Sequence, residues 1–235
     1  MAEPLIELTG LAKTYPGAVP VHALLPTDLA LQRGDYLAIV GPSGSGKSTL
    51  LNMLGLLDTA TAGSYRLMGV ELADAPDHLR GMARGHAFGF VFQAFHLLPG
   101  RTVVENIELS MMYVRVPPKR RRQRAFDSLE FLGLGHRAFA DPRELSGGER
   151  QRAAIARAIA AEPDVLFCDE PTGNLDTANS ARVMELLDTL NGEGITVVLV
   201  THDHDLAARA GRQLTVRDGL VTEDARDGLS PAVGH

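Results

Sequence analysis

At 235 residues, with 45% hydrophobic and 22% charged side chains, the chain is long enough to bury one large core and has the composition of an ordinary globule. Its formal charge of −6 argues against nucleic acid as the principal partner, since binders of the phosphate backbone usually carry a basic excess. One cysteine excludes an intramolecular disulfide and fits a reducing compartment. No apolar run approaches the roughly 20 residues that span a bilayer. Met1 to Thr9 holds two acids and no basic segment, so it does not read as a secretory signal. These exclusions predict a cytosolic protein that reaches a membrane only through a partner.

Taken in chain order, Leu5 to Leu8 and Leu29 to Gln32 read as short strands, and Arg33-Gly34-Asp35 as a turn into the apolar run Tyr36 to Val40. That run leads directly into Gly41-Pro42-Ser43-Gly44-Ser45-Gly46-Lys47-Ser48, a complete G-x-x-x-x-G-K-S loop. A helix over Ser48 to Leu57 follows, with Leu50, Leu51, Leu54 and Leu57 expected as its buried stripe. Strand, glycine loop and helix are the context this motif demands. In it, glycines let the backbone wrap phosphates, Lys47 neutralises the β- and γ-phosphate oxygens, and Ser48 can offer its hydroxyl to Mg²⁺. A glycine-rich turn without function is the bland alternative, and the flanking elements speak against it.

Phe88 to Phe92 reads as another apolar strand, with Gln93 at its end. From about Ala94 to Ala161 such runs are missing, and the pattern is mostly helical with breaks at Pro117-Pro118 and Asp141-Pro142. Inside this region, Leu145-Ser146-Gly147-Gly148-Glu149 is a polar, glycine-rich turn opening a helix from Arg150 to Ala161. Backbone N–H groups at a helix N-terminus, with a serine hydroxyl, make a second anion cradle. Two phosphate sites in one chain suggest a nucleotide held between two surfaces.

Val165 to Cys168 and Ile195 to Val200 are continuous apolar runs, suited to strands buried on both faces of a parallel sheet. The first ends in Asp169-Glu170. Asp169 can hold Mg²⁺, and Glu170 is placed to orient or deprotonate a water. Alone, the pair would equally be a solvated strand end; beside a phosphate loop the catalytic reading dominates. The second run ends in Thr201-His202, so His202 is a candidate γ-phosphate sensor, with an ordinary surface histidine as the alternative. Leu214 to Val221, containing Asp218-Gly219, reads as a hairpin, and the residues from about Asp224 as a loose tail.

Lys47, Gln93, Leu145 to Glu149, Asp169-Glu170, Gly173-Asn174-Leu175-Asp176 and His202 follow one another in the order and approximate spacing of the ATP-binding subunit of ABC transporters. The chain resembles that family from Tyr15 to about Val221, and the Leu-Ser-Gly-Gly-Glu signature is the specific element. The resemblance implies an α/β fold: a P-loop NTPase (RecA-like) parallel-sheet core with an N-terminal antiparallel β subdomain and an inserted α-helical subdomain. The whole would be one nucleotide-binding domain. Its core and β subdomain would span about 1–93 and 162–223, its helical signature subdomain about 94–161, and its tail about 224–235.

The resemblance further implies ATP and Mg²⁺ as cofactors and a homodimer closing head to tail over two ATP molecules. Nucleotide contacts would come from Tyr15 (stacked on adenine), from Gly41, Ser43, Gly44, Ser45, Gly46, Lys47, Ser48 and Thr49, and from Ser146, Gly147, Gly148 and the D-loop Asp176. Ser48, Gln93 and Asp169 would serve the metal, and Glu170, His202 and Gln93 the hydrolysis. The strings Leu54 to Asp58, Phe90 to Pro99 and Pro171 to Asp176 resemble the branch of macrolide exporters and lipoprotein-release ATPases. That branch implies a separate integral membrane permease at the inner face of the cell membrane and no direct nucleic-acid partner. Two departures are Glu149, where this branch often has Gln, and Cys168, where a small aliphatic residue is usual. The apolar segment Ala94 to Pro99 is the expected docking face for the permease, the alternative being that Phe95, Leu97 and Leu98 pack the two subdomains together.

Several features are expected to be bland. Lys119 to Arg122 with Arg124 reads as the solvated start of a helix, His202-Asp203-His204 lacks the further ligands of a zinc site and Asp203-His204 reads as loop, and Cys168 reads as a small buried hydrophobe. Met111-Met112-Tyr113 is core or permease-facing surface. Two other classes compete with a transporter subunit. A soluble ABC ATPase acting on nucleic acid or ribosomes would usually carry two cassettes, a long coiled coil or zinc modules. A P-loop kinase would have no use for Leu145 to Glu149.

Overall fold

The computed structural model describes residues 3–114 and 116–224. The N-terminal part is antiparallel. β1 (Ile6–Tyr15) pairs with β2 (Val21–Leu31), and after β3 (Tyr36–Val40) and α1 (Lys47–Leu54) the chain returns as β4 (Ala62–Leu67) and β5 (Val70–Glu71) to complete the order β2-β1-β4-β5. α2 (Asp77–Ala87) then leads into β6 (Phe88–Phe92). Helices α3 (Val103–Ser110), α4 (Pro118–Phe131) and α5 (Gly147–Ile159) follow before the chain re-enters a sheet as β7 (Val165–Asp169). α6 (Thr177–Gly192), β8 (Thr196–Val200), α7 (His204–Ala207) and the hairpin β9 (Arg212–Arg217) and β10 (Leu220–Glu223) close the chain.

The second sheet has the order β10-β9-β3-β8-β7-β6, parallel throughout except for its antiparallel edge strand β10. The alternation of side chains along a strand divides its residues between two cores. Tyr36, Ala38 and Val40 of β3, Leu166 and Cys168 of β7, and Val197 and Leu199 of β8 face a core shared with α3 to α6. Leu37, Ile39, Val165, Phe167, Val198 and Val200 face the opposite core, built with α1 and the antiparallel sheet. Burial on both faces explains why these strands read as unbroken apolar runs.

Helix starts follow local chemistry. Thr102 and Glu105 form a capping box at α3, Pro118 opens α4 where its missing N–H costs nothing, and the Asp176 carboxylate caps α6 by accepting from Asn179 N–H at 2.8 Å. The basic run belongs to α4, where Arg122 pairs with Glu108 and Arg124 with Glu162. Met111 is buried while Tyr113 is 86% exposed.

Some expectations are corrected. The strands expected at Leu5 to Leu8 and Leu29 to Gln32 are the ends of much longer strands, β1 and β2. α1 stops at Leu54, because the chain leaves the helix at Gly55, and Leu57 is therefore 41% exposed instead of completing a buried stripe. α5 begins at Gly147, so the signature glycines form the helix's first turn instead of a loop before it. Asp203 caps α7 and His204 lies in it, where a loop was expected. Asp224 hydrogen-bonds to β9, and the remainder of the expected tail lies outside the described residues. Among the described residues, no helix is long and apolar enough to cross a membrane.

Candidate nucleotide site

The parallel strands deliver their carboxyl ends to one edge, where ligands of open α/β sheets gather. β3 ends in the glycine loop, and two positions in it are restricted to glycine by both backbone and space. Gly41 has φ +148°, and a Cβ there would run into the Val216 carbonyl. Gly46, the N-cap of α1, has φ +110°, and a Cβ would stand 2.5 Å from the Ala23 carbonyl oxygen. The loop is thereby pressed against β2 and β9 with its N–H groups at the start of α1. Lys47 Nζ reaches back to donate to the carbonyls of Gly41 (2.8 Å) and Pro42 (2.9 Å). Gly44 to Thr49 line an open cavity of about 420 Å³ together with Val21, His22, Asp218 and Gly219. Ser45 Oγ is buried without a hydrogen-bond partner, which is unusual unless a ligand supplies one.

β6, β7 and β8 bring the remaining candidates to the same edge. Phe92 and Asp169 are direct partners in the ladder, so Gln93 and Asp169-Glu170 leave the sheet side by side. Burial, and then the neighbouring Glu170 charge, push the Asp169 carboxyl above its usual range, with Lys47 pulling it back. Glu170 is held at φ +47° by an N–H bond to the Val200 carbonyl (2.9 Å), a left-handed conformation that costs a non-glycine residue roughly 1–2 kcal/mol. Its carboxylate meets His202 Nδ1 at 2.8 Å; the Glu170 side chain is 19% exposed and the imidazole 76%. Gln93 packs on the turn Gly173 to Asp176, the expected D-loop: a Cβ at Gly173 would stand 2.8 Å from Gln93 Nε2, and Asn174 Nδ2 donates to the Gln93 carbonyl at 3.0 Å.

The donors suit Mg²⁺ in kind. Ser48 and Asp169 offer hard oxygen, and among the described residues no three histidines, cysteines or acids converge on one point. A cation there would be completed by phosphate and water oxygens, the usual coordination of Mg²⁺.

Ser146, Gly147 and Gly148 do not line the glycine-loop cavity. Their neighbours are on the D-loop side: Gly147 faces Leu175 and Asn174, and Gly148 lies against Asn179. Ser146 caps α5 in a capping box with Glu149. Within one chain the two anion cradles are thus separate. Tyr15 closes β1 with its ring over Lys13 Nζ (4.7 Å) and its hydroxyl donating to Asp58 (2.9 Å).

Four contributors escaped the sequence reading. Lys13 and Asp58 fix Tyr15, and Arg137 pairs with Glu149 at 3.0 Å. Arg157 of α5 donates to the carbonyls of Phe95 (3.0 Å) and His96 (2.5 Å), tying the segment after Gln93 to the helix that Ser146 opens. Only the signature carboxylate, which calls for a counter-charge, offered a sequence clue, and it did not say where the cation would come from.

Residues 24–173 match the family model described as ABC transporter. The chain belongs to the ABC transporter family. It is 47% identical to the macrolide export ATP-binding/permease protein MacB of Chlorobium luteolum, over 95% of this chain and 34% of that protein. It is 45% identical to the pyoverdine export ATP-binding/permease protein PvdT of Pseudomonas putida, over 100% and 36%. The uncharacterised ABC transporter ATP-binding protein YvrO of Bacillus subtilis is 44% identical over 97% of this chain and 100% of its own length. The chain thus spans about a third of the length of the macrolide and pyoverdine export relatives and all of the Bacillus protein. The dimeric post-hydrolysis structure of the ATP-binding cassette MJ0796 bound to ADP and Pi superposes with a TM-score of 0.86 at 38% identity, covering 95% of this chain and 99% of that one. The expected fold, a P-loop NTPase cassette, and the ATPase activity of this ABC protein follow from that membership.

Proposed function

We propose that this ABC ATPase closes as a homodimer over two MgATP molecules and drives a separate membrane permease of the exporter type. The observation that carries this reading is the separation of the two anion cradles within one chain. Ser146 to Gly148 can serve the phosphates held by a glycine loop only if that loop belongs to a second copy. The dimeric state of MJ0796 with ADP and Pi supports it.

In each site, Tyr15 provides a flat face for adenine, oriented by Asp58 and Lys13. Gly41 to Thr49 bind the phosphates, and Lys47 exchanges its bonds to the Gly41 and Pro42 carbonyls for phosphate oxygens. Bound Mg²⁺, held by Ser48 and Asp169 with Gln93 close by, would neutralise charge building on the β- and γ-phosphates. Glu170 accepts the proton of the attacking water, and His202 holds the Glu170 carboxylate while presenting its far ring nitrogen to the γ-phosphate. Ser146, Gly147 and Gly148 grip that phosphate from the partner copy, and Asp176 shapes the facing D-loop.

The permease would dock where the helices meet the core. A groove of about 460 Å³ there is lined by Arg84, Phe90, Phe92, Tyr113 and Arg157. A second groove, of about 460 Å³, is lined by Ala94 to Leu97 and Pro99 of the segment after Gln93, with Arg143 and Arg150. Together with the export relatives, this supports attachment at the inner face of the cell membrane.

The test separates the cradles. Lys47→Ala should weaken ATP binding by the monomer, whereas Ser146→Arg should leave that affinity near the parent value and abolish turnover and ATP-driven dimerisation. If Ser146→Arg monomers lose ATP binding as severely as Lys47→Ala, the two-chain site is wrong.

A further inference from the structure

We propose that Arg137 is a positioning residue for Ser146: by pairing with the Glu149 carboxylate it removes a negative charge from the mouth of α5 and leaves that helix end free to receive a phosphate. The proposal rests on the reading of Ser146 as a grip on the partner copy's nucleotide.

The first turn of α5 has conflicting tasks. As a helix start it favours a carboxylate, which satisfies free N–H groups and complements the dipole. As a phosphate cradle it must keep those same donors available. Glu149 Oε2 accepts from both Ser146 N–H (2.8 Å) and Ser146 Oγ (2.7 Å). A serine hydroxyl has one proton, so while Glu149 holds it Ser146 has none to give a phosphate oxygen. An unpaired carboxylate here would compete with the phosphate for donors and also repel it.

Arg137 answers both difficulties. Its Nε donates to the other carboxylate oxygen, Glu149 Oε1, at 3.0 Å. The pair is neutral as a unit, so the helix end keeps its positive field. Charge held on Oε1 weakens Oε2 as an acceptor, and the Ser146 hydroxyl can turn to a stronger one. The Glu149 side chain is 16% exposed, so water screens this interaction less than at an open surface. The guanidinium, with the Ser146 bonds, holds the Glu149 carboxyl down at about 2, so the carboxylate stays charged at any working pH.

Arg137 is itself anchored. Its N–H donates to Leu134 O at 2.9 Å and its carbonyl accepts from Ala140 N–H at 3.0 Å. The carbonyls of Ala138 and Ala140 accept from Val104 and Val103, the first turn of α3. The counter-charge is therefore carried by the helical region that follows Gln93, and stays in register with the signature turn.

The experiment uses the full chain with ATP, measuring turnover, ATP-driven dimerisation and monomer ATP affinity. Arg137→Met should slow turnover at subsaturating ATP by about tenfold, the order expected of one uncompensated charge near a partly buried phosphate. Monomer ATP affinity should not change, and the deficit should shrink as salt is raised. Adding Glu149→Gln to Arg137→Met removes the charge that needs balancing and should restore most of the rate. A double variant as slow as Arg137→Met, or parental turnover in Arg137→Met, overturns the proposal. Should Arg137→Met be too unstable to assay, Arg137→Lys decides: near-parental turnover supports the charge role, and a tenfold loss refutes it. Ser146→Arg is measured alongside. If it remains active the two-chain site itself fails; if it is dead while Arg137→Met is parental, only the role of Arg137 falls.

Discussion

Replacing Glu170 with glutamine isolates proton acceptance from everything else this side chain does. Glutamine has the same shape, keeps an oxygen for the 2.8 Å contact with His202, and tolerates the φ of +47° about as poorly as glutamate does. Fold and nucleotide binding should therefore survive. What disappears is a carboxylate able to take a proton, usually worth 10²–10⁴-fold in rate, or about 3–5 kcal/mol of barrier. Nothing in the glycine loop depends on Glu170: the contacts of Lys47 are to Gly41 and Pro42. Phosphate release under single-turnover conditions gives the chemical step, and titration with a fluorescent ATP analogue gives affinity. The proposed cycle adds a stricter expectation, because hydrolysis is what separates the two copies. Glu170→Gln should accumulate as an ATP-bound dimer on size-exclusion chromatography, and the parent protein should not. If ATP affinity falls in parallel with turnover, Glu170 is part of the binding site and not the base. If turnover falls less than about tenfold, another group takes the proton.

Asp169→Asn tests the cost of the metal site. Burial and the adjacent Glu170 raise the Asp169 carboxyl pKa in the fold, so its ionised form destabilises the nucleotide-free protein above that pKa and the penalty vanishes below the ordinary carboxylate range. The variant should melt higher than the parent at neutral pH, by a margin that shrinks on acidification, while losing Mg²⁺-dependent turnover; a lower melting temperature at neutral pH would contradict this. His96→Glu places a charge on the exposed apolar segment after Gln93 and should spare basal turnover of the isolated subunit while abolishing permease-dependent stimulation. Loss of basal turnover or unfolding would make that segment core instead of a docking face.

Legibility in the sequence depended on the range of the interaction involved. The glycine loop, β3 and β6 were legible residue by residue, because their signals are local: an apolar run, a glycine spacing, a lysine. β7 and β8 were found within one residue at an end for the same reason. α2 was missed: its apolar positions Leu79, Met82, Ala83 and Ala87 were not read as a helix face, and in the structure Leu79 and Met82 are exposed while only Arg80 and Ala87 are buried. β4 was missed because it is a strand by virtue of pairing with β1, about fifty to sixty residues away, and the two-residue β5 because it is one by pairing with β4. The same limit hid Arg137, whose significance arises only when the turn at Gly135 is folded back onto Glu149.

These long-range contacts are also where the proposed coupling resides. α5 carries Ser146 at one end and, near the other, Arg157, whose guanidinium holds the carbonyls of Phe95 and His96. From Ser146 to Arg157, eleven steps of 1.5 Å make a rod of about 17 Å between the proposed phosphate grip and the residue that holds the proposed docking segment. A packed helix is stiff, so a displacement imposed by a permease on Phe95 or His96 must appear at Ser146 unless the Arg157 bonds break. Partial burial lowers the Arg157 pKa without removing its charge, and a half-buried guanidinium stripped of its two carbonyls would lose both charge-assisted bonds. His96 at φ +49° and Glu170 at φ +47° are both held in the left-handed region. Glu170 directly follows β7 and His96 lies four residues beyond the end of β6, and coupling between nucleotide and permease requires no more than that the two ends of α5 move together.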